Sequence, residues 1–556
     1  MVVDSRQRRS RFGRYAAEIL RTEGIGSVHV LELASLTLPD LQACGVVVLA
    51  SCGATTGLLE LLGQYLDAGG RLVLLRPAHE LAPLLGLEPH YQARATARLL
   101  IDSHSSAFSG FPYEALQIAG ALDLYRTTED ATIAARTVST PWEIQPLPAI
   151  IERQVGTGRL IAFLYDLPET VARLRQGDPA LAEVDADGLE GVRPHDAQQW
   201  QIDPTMAHVP QAEVHQALLA RAVETLAPWP LPRLWHLPGA AHSLLVLTGD
   251  LCSNRPDQWL LDEGALAERH GGTLTLYLHV GTELEANTIS RLRQGGHTLS
   301  IHPFAVPFSV PAMDETLGRH LSIFAGRFGP PAPRTVRHHR LQWLGWAEQA
   351  KLERHHGLLM DLNFTTARPV RNGYLFGAGR PLRFVDEDGM VLETWQQPTQ
   401  FEDDLILGDH EISLRVGTAE ACTLYDALLD DSLARWHSVI AVNLHPGNYA
   451  RYSGDWGRHL VSTTALKGVP ILSAERWLNF TLTRAATRIG VPTGHKTGWR
   501  FDVTSASPSL TLLVPEQFQD RTLGDSVSGS TIDHYGRRYR LVPLHGTDAI
   551  DTVYGS

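Results

Sequence analysis

The sequence predicts an α/β protein in three parts: a doubly wound N-terminal domain over residues 1–230, a (β/α) barrel over 231–484 and a small β domain over 485–556. Two observations predict this fold. Strand-length apolar runs alternate with helical segments through most of the chain, and such alternation is typical of parallel sheets. In the second half, several of these runs end in an acidic or imidazole side chain. A length of 556 residues also fits about three domains.

The N-terminal part has an αβαβ pattern. Helices are predicted over Phe12–Glu23, which Gly24 would end, and over Thr56–Ala68. Buried strands are predicted over Val46–Ala50 and Arg71–Leu75. We therefore expect a parallel, doubly wound sheet, although the pattern becomes more β-like after residue 99.

The central part begins after a proline-rich stretch at 228–232. Strand-like runs recur there with helices between them, which predicts a (β/α) barrel. A hairpin is predicted over Arg383–Thr394, turning at Asp388 and Gly389. Short alternating runs such as Arg500–Thr504 and Leu510–Val514 predict a β-sandwich-like domain at the end.

Composition excludes several classes of protein. A net charge of -13 argues against a nucleic-acid or anionic-membrane binder. The four cysteines show no CxxC spacing, so a zinc knuckle or disulfide framework is not indicated. No apolar run reaches the ~18–20 residues of an integral membrane segment. The sequence leaves the oligomeric state open.

The first residues, MVVDSRQRRSR, are polar and basic, and no signal peptide is visible after them. We therefore expect a cytoplasmic protein from the chain as written. A doubly wound domain is expected to begin with a strand, but polar residues stand in that place ahead of the first helix. If its absence reflects a start site placed too late, an extracellular or periplasmic location is the alternative.

Five apolar runs end in a residue that can carry chemistry. They are Leu244–Asp250, Thr298–His302, Leu358–Asp361, Val439–His445 and Val469–Glu475. In a barrel of parallel strands, the C-terminal strand ends meet at one face and open into the loops that form active sites. Asp250 is therefore a candidate base or metal ligand, His302 a metal ligand and His445 a general acid. The alternatives are helix-capping or core roles for the same side chains.

Arg337, His338 and His339 are consecutive. Adjacent side chains on an extended segment point to opposite sides, so at most one of the two histidines should face the pocket. Asp361 could pair with Arg337 and hold a catalytic group in place.

These residues resemble the motifs of polysaccharide deacetylases, a carbohydrate esterase type with a distorted (β/α) barrel. The matching segments are Thr248-Gly249-Asp250-Leu251, Gly296-His297-Thr298-Leu299-Ser300-Ile301-His302, Arg337, Asp361 and Leu444-His445. Other stretches, among them FGRYAAEILRTEG, PLPRLWHLPG and KGVPILSAERWL, resemble a branch of long deacetylases. That branch has an amidotransferase-like domain before the barrel and a β domain after it. Its Arg-Thr-His segment matches Arg337-His338-His339 ahead of Trp343.

The resemblance implies a metal-dependent hydrolase that removes N-acetyl groups from an amino-sugar polysaccharide. A divalent metal, zinc by expectation, could use Asp250, His302 and His339, a ligand set that differs from the family's own. Asp250 would act as base or ligand and His445 as the acid, with Arg337 and Asp361 orienting Asp250. Trp343, Trp346 and Trp456 would stack on sugar rings if they are exposed, although core packing is the more frequent use of tryptophan.

The chain departs from the family pattern at two metal positions. Leu251 stands where a metal-binding aspartate is expected, and Val306 where a second histidine is expected. A non-catalytic glycan-binding or scaffold protein is therefore the alternative. A third hypothesis is an amidohydrolase centred on Cys52, in ASCGATTG. No Gly-x-Cys-x-Gly motif or catalytic triad is evident, so a packing role for Cys52 is favoured.

Overall fold

The computed structural model describes residues 1–90, 97–128, 130–140, 143–188, 190–198, 203–365, 372–409, 413–495, 498–504, 507–545 and 547–555. It is a mixed α/β protein, as the sequence predicts. The division into three domains stays a prediction. No helix in the ranges just given is long and apolar enough to cross a membrane.

The N-terminal part is built on one sheet with helices beside it. Its helices are α1 (Gly13–Thr22), α2 (Leu38–Gln42), α3 (Thr56–Asp67), α4 (Ala82–Leu85), α5 (Leu167–Gln176) and α6 (Gln211–Leu226). Its strands are β1 (Val2–Val3), β2 (Leu31–Glu32), β3 (Val47–Leu49), β4 (Arg71–Leu75), β5 (Leu87–Pro89), β6 (Ala97–Ile101), β7 (Leu116–Ile118), β8 (Tyr125–Thr127), β9 (Thr132–Thr140), β10 (Glu143–Val155) and β11 (Gly158–Phe163).

This sheet is only half parallel, so the prediction of a parallel sheet is wrong for its second half. Nine of these eleven strands form the sheet, in the order β2-β1-β3-β4-β11-β10-β9-β6-β7, and β5 and β8 pair with each other apart from it. Pairing is parallel from β2 to β11 and antiparallel from β11 to β7. Parallel neighbours need a long crossover such as a helix, whereas β10 and β11 are joined by a short turn at Gly156 (φ 57°) and must pair antiparallel.

A strand does precede α1. Val2 and Val3 are buried and form β1, which pairs with both β2 and β3. The expectation that polar residues replace this strand is therefore wrong. The strand consists of these two apolar residues alone, and the polar stretch begins after it, at Asp4.

The central sheet holds ten strands. Its strands, with one short strand that precedes them, are β12 (Arg233–Leu234), β13 (Leu244–Leu251), β14 (Thr275–Leu278), β15 (Thr298–Ile301), β16 (Thr335–Val336), β17 (Met360–Asp361), β18 (Leu382–Val385), β19 (Val391–Gln396), β20 (Phe401–Glu402), β21 (Val439–Leu444) and β22 (Ile471–Ser473). The helices are α7 (Asp257–Glu268), α8 (Ala286–Gln294), α9 (Val310–Phe328), α10 (Glu348–His355), α11 (Asp403–Leu407), α12 (Thr418–Asp431), α13 (Pro446–Asn448), α14 (Gly454–Leu466) and α15 (Ala474–Ala486).

The strand order is β18-β19-β17-β16-β15-β14-β13-β21-β20, with β22 beside β13. All pairs are parallel except the β18–β19 hairpin, which turns through Gly389 (φ 82°) as the sequence predicts. Every residue of β13 is buried, because helices cover a parallel sheet on its outer face. The C-terminal ends of these parallel strands therefore share one edge of the sheet.

The C-terminal part consists of two small sheets. Its strands are β23 (Arg488–Ile489), β24 (Thr493–His495), β25 (Gly498–Thr504), β26 (Thr511–Pro515), β27 (Gln517–Phe518), β28 (Arg521–Leu523), β29 (Ser530–His534), β30 (Arg537–Pro543) and β31 (Thr547–Gly555). One sheet has the order β12-β26-β30-β29. Arg233 and Leu234 thus pair with this last part of the chain, whereas the sequence assigned them to the start of the barrel.

Buried neutral histidines should make the fold sensitive to acid. Burial lowers the pKa of His215 to about 4, of His320 to about 4 and of His437 to about 4. An unfolded histidine titrates near pH ~6.5, so the unfolded chain binds more protons below that pH. The stabilisation is complete above pH ~6.5 and is lost as the pH falls toward 4.

We expect the thermal unfolding midpoint to fall between pH 7 and pH 5, and to fall less in His215→Gln. His104→Gln serves as the control, because His104 is exposed. Equal pH dependence in the wild type and His215→Gln would contradict the assignment of His215 as a neutral buried group.

Candidate active site

A cavity of about 630 Å³ lies at the C-terminal ends of the central parallel strands. Asp250, His302 and His445, which end three different strands in sequence, all line it, and so does His339. Glu190 and Arg193 of the N-terminal part also line the cavity. The strand-end pattern therefore predicts the location of this pocket from residues far apart in sequence.

Asp250 is held from one side. It is buried near the end of β13, and its Oδ2 lies 3.0 Å from Nε of Arg337. Its Oδ1 is also buried. Burial raises the pKa of Asp250 to about 6, against the opposing effect of the Arg337 and His445 charges. One carboxylate oxygen is thus held beside Arg337, and the side chain of Asn443 interacts with the same carboxylate.

Arg337 is the centre of this support. Its side chain is fully buried, and its terminal nitrogens donate to Glu402 Oε2 at 2.5 Å and to the Leu362 carbonyl at 2.7 Å. The carboxylates paired with Arg337 are therefore Asp250 and Glu402. Asp361, which the sequence pairs with Arg337, lies elsewhere.

Asp361 belongs to a neighbouring buried group with His338 and Glu353. Its Oδ1 accepts the Asn363 N–H at 3.0 Å, and the Asn363 side chain accepts the His338 N–H at 2.7 Å. The prediction that Asp361 orients the base through Arg337 is therefore wrong. Asp361 instead supports the segment that carries His338. Glu402 takes the position beside Arg337 because β20 brings it next to the end of β21.

His302, His339 and Cys252 form a group of three metal-ligating side chains. Nδ1 of His302 lies 2.8 Å from the Arg337 carbonyl, which can only accept, so Nδ1 carries the proton. Its Nε2 therefore presents a lone pair, 3.2 Å from Nδ1 of His339 and 3.6 Å from Sγ of Cys252. Burial lowers the pKa of His302 well below its usual value and that of His339 to about 4. Both rings are neutral, which is the form that binds metal.

Both consecutive histidines line the cavity, although the sequence predicts that at most one faces it, and their rings diverge. The His339 ring faces His302, whereas a nitrogen of the His338 ring lies 3.0 Å from Glu353 Oε1. Asp250 lies 3.9 Å from His302, but at Nδ1, the nitrogen that bonds to the Arg337 carbonyl. The structure thus joins His302 and His339 and keeps Asp250 outside their group.

His445 follows β21 and is bound to a buried acid. Its Nδ1 donates to Asp403 Oδ1 at 2.7 Å, and Asp403 also accepts from the His445 N–H at 3.1 Å and from Ser453 Oγ at 2.8 Å. Burial opposes protonation of His445, but the carboxylates of Asp404 and Asp403 outweigh it and hold its pKa well above the usual value. The ring is therefore an imidazolium, which can donate a proton.

Sequence reasoning missed Cys252, Glu402 and Asp403. The signal for Glu402 and Asp403 is the acidic run Glu402-Asp403-Asp404, which begins with the last residue of a strand of only two residues. Cys252 lies two positions after Asp250, and alternation along an extended segment puts both on one side. A cysteine at that spacing from a strand-end aspartate therefore indicates a second side chain that faces the same pocket.

Trp343, Trp346 and Trp456 are core residues, so the prediction that they stack on sugars is wrong. Each is at most 3% exposed. Trp343 packs against Phe364 and Phe384, and the Trp346 indole donates to the Gly177 carbonyl at 3.1 Å. An aromatic that does lie beside the site is Phe304, whose ring centroid is 5.2 Å from that of His339.

The departures from the family motifs are visible in the structure. Leu251 lines the cavity with a hydrocarbon side chain, and Val306 is 77% exposed.

Cys52 is buried in an apolar cluster of the N-terminal part, and burial raises the pKa of its thiol to about 11. These observations favour the packing interpretation of Cys52.

No family model matches the sequence, and no curated protein matches it. The solved structures it is similar to include Agd3, described as a carbohydrate deacetylase, at 10% identity and a TM-score of 0.41, covering 100% of this chain and 98% of that one. Another is the family 4 carbohydrate esterase of Streptomyces lividans, at 13% identity and a TM-score of 0.26, covering 42% and 93%. A third is BA3943 of Bacillus anthracis, a CE4 family pseudoenzyme, at 10% identity and a TM-score of 0.26, covering 42% and 65%. These descriptions name carbohydrate deacetylases and esterases, the kind of protein whose motifs the sequence resembles. At these TM-scores the similarity says nothing about individual site residues.

Proposed function

We propose that the chain is a metal-dependent hydrolase that removes N-acetyl groups from an amino-sugar polysaccharide. Its three parts would be an amidotransferase-like domain over 1–230, a distorted (β/α) barrel over 231–484 and a β domain over 485–556. The observation that carries the proposal is an acid and a base in one cavity. Asp250 and His445 line the same cavity, and His445 is held as an imidazolium by Asp403.

Amide hydrolysis needs both groups. Asp250, ionised at neutral pH, would take a proton from the attacking water. His445 would deliver a proton to the departing amine nitrogen, and its Nδ1–H bond to Asp403 keeps the ring oriented for this transfer. Arg337 would hold Asp250 in place, with its Nε 3.0 Å from Asp250 Oδ2.

The donor set of the cavity fits a metal. His302 and His339 are neutral imidazoles with nitrogens turned to a common point, and a divalent ion of the zinc type suits such ligands. When bound, the metal would polarise the acetamide carbonyl and promote attack of water. The cavity volume of about 630 Å³ is that of a small-molecule site and suits one or two sugar units of a polymer.

The test is acetate release by the full chain from N-acetylated oligosaccharides, with O-acetylated oligosaccharides for comparison. Chelation should abolish release, and added zinc should restore it, because the carbonyl is polarised only when the metal is bound. Metal content would be measured by elemental analysis at each step. A zinc-loaded protein that releases no acetate from any N-acetylated amino-sugar oligomer would contradict the proposal.

A non-catalytic glycan-binding protein is the second candidate. Leu251 favours it, because leucine replaces an expected metal ligand in the cavity. This candidate expects saturable oligosaccharide binding with no acetate release, and binding unchanged by chelation. The two candidates therefore give opposite results in the same assay.

A further inference from the structure

We infer that Cys252 is the third protein ligand of the metal, so that the site is a Cys-His-His site made of Cys252, His302 and His339. The inference deepens the proposed function by naming the metal's ligands, and it rests on that function only in assuming that a metal works in this cavity. Cys252 lines the cavity together with Asp250 and the two histidines. No motif in the sequence assigns it this role.

Two of the three interatomic distances are those of a tetrahedral zinc site. Zinc binds nitrogen at about 2.0–2.1 Å and sulfur at about 2.3 Å, so tetrahedral angles put two nitrogens about 3.3 Å apart and nitrogen and sulfur about 3.6 Å apart. Nε2 of His302 lies 3.2 Å from Nδ1 of His339 and 3.6 Å from Sγ of Cys252. The ligand atoms of the three residues all lie within 4.8 Å of one another.

The histidines are held in position by backbone contacts. The Arg337 carbonyl fixes the tautomer of His302, and such hydrogen bonds to the far nitrogen orient metal-binding imidazoles. The His339 N–H donates to the Pro303 carbonyl at 2.8 Å, which ties His339 to the segment just after His302. Arg340, which follows, has φ 56°, a strained value for a non-glycine residue. The chain therefore bends so that His339 faces His302.

A thiol at position 252 resolves the two conflicting roles of Asp250. Leu251 cannot donate to a metal. Asp250 pairs with Arg337 and lies nearest to Nδ1 of His302, which is not the nitrogen that would bind the metal. With Cys252 as ligand, Asp250 is free to act as base. Three protein ligands would leave one position of a four-coordinate zinc ion open, which is the arrangement of catalytic rather than structural zinc sites.

The same thiol also interacts with His445, whose other ring nitrogen is held by Asp403. A Cys-His-Asp set of this kind is an arrangement for a thiol nucleophile. The metal role is favoured because Nε2 of His302 is an unprotonated nitrogen that faces the sulfur, next to a second neutral imidazole. Two unprotonated imidazole nitrogens play no part in the chemistry of a nucleophilic thiol, whereas a metal such as zinc binds both imidazole and thiolate.

The test uses cobalt(II) as the probe, bound to the full chain in place of zinc. We expect a near-ultraviolet thiolate-to-cobalt charge-transfer band in the wild type. Cys252→Ser should lose the band and bind zinc at least about 100-fold more weakly, since even the outer contacts of a metal site are worth 10- to 100-fold. Cys252→Asp should bind cobalt without the band, because a carboxylate replaces the thiolate.

Cys44→Ser and Cys422→Ser are the matched controls, because both cysteines lie outside the cavity lining. Both should keep the band, and thermal unfolding should show that all variants fold. Cobalt bound by the wild type without a thiolate band would overturn the inference, as would unchanged zinc affinity in Cys252→Ser. An acetyl group trapped on Cys252 after mixing with substrate would overturn it in favour of the nucleophile.

Acetate release, measured on the same samples, separates this inference from the proposed function. A thiolate band without acetate release would refute the hydrolase and keep the site. Acetate release without the band would keep the hydrolase and refute the ligand role of Cys252.

Discussion

Asp250→Asn should lower the rate of acetate release by about 100- to 10,000-fold, the usual contribution of a general base, while the chain stays folded. An amide is isosteric with the carboxylate but cannot take a proton from water. Arg337 keeps its second carboxylate partner, Glu402, so the fold loses little. The measurement is kcat/KM for acetate release, beside the thermal unfolding midpoint.

Asp455→Asn is the matched control, because Asp455 is an exposed acid on α14. A loss of less than about tenfold in Asp250→Asn would contradict the role of base. The cobalt spectrum of the same variant distinguishes a base from a ligand. If Cys252, His302 and His339 hold the metal, the spectrum should persist in Asp250→Asn, whereas a ligand role for Asp250 requires it to change.

The part of the site that could be predicted from sequence depends on strand geometry. Asp250, His302 and His445 are separated by many residues, yet each follows a buried apolar run. Because parallel strands bring their C-terminal ends to one edge, these residues reach one cavity. Local pattern and topology agree here, and the prediction needs no knowledge of packing.

The residues that were missed lie where local pattern carries little information. Glu402 ends a strand of two residues and Asp403 follows it, and so short a strand produces no apolar run. Their roles arise from pairing with β21, which follows them by some forty residues of chain. Cys252 acquires its neighbours only when β15 and the segment after β16 come together.

The tryptophans show a different limit. A tryptophan has the same sequence signature in a core as on a sugar-binding surface, since both uses need a large apolar ring. Only the packing of Trp343 against Phe364 and Phe384 decides between them. The pairing of Arg337 with Asp361 fails for a similar reason. Several acids lie near that arginine, and register alone selects Glu402.

Arg337→Leu should destabilise the fold by about 3–5 kcal/mol, the usual cost of removing one partner from a buried ion pair. The guanidinium is fully buried between Asp250 and Glu402. Without it, two carboxylates remain in a site where they must stay charged without a partner or take up protons. The measurement is the urea midpoint of the transition that reports on the central sheet.

Arg354→Leu is the matched control, because Arg354 pairs with Glu393 at the surface, where both side chains are about half exposed or more. Exposed pairs contribute about 0–1 kcal/mol, so this variant should stay close to the wild type. Changing Glu402 to Gln in the Arg337→Leu background should recover part of the loss, because it removes one of the two unpartnered charges. Equal midpoints for the two arginine variants would mean that Arg337 positions Asp250 without stabilising the fold.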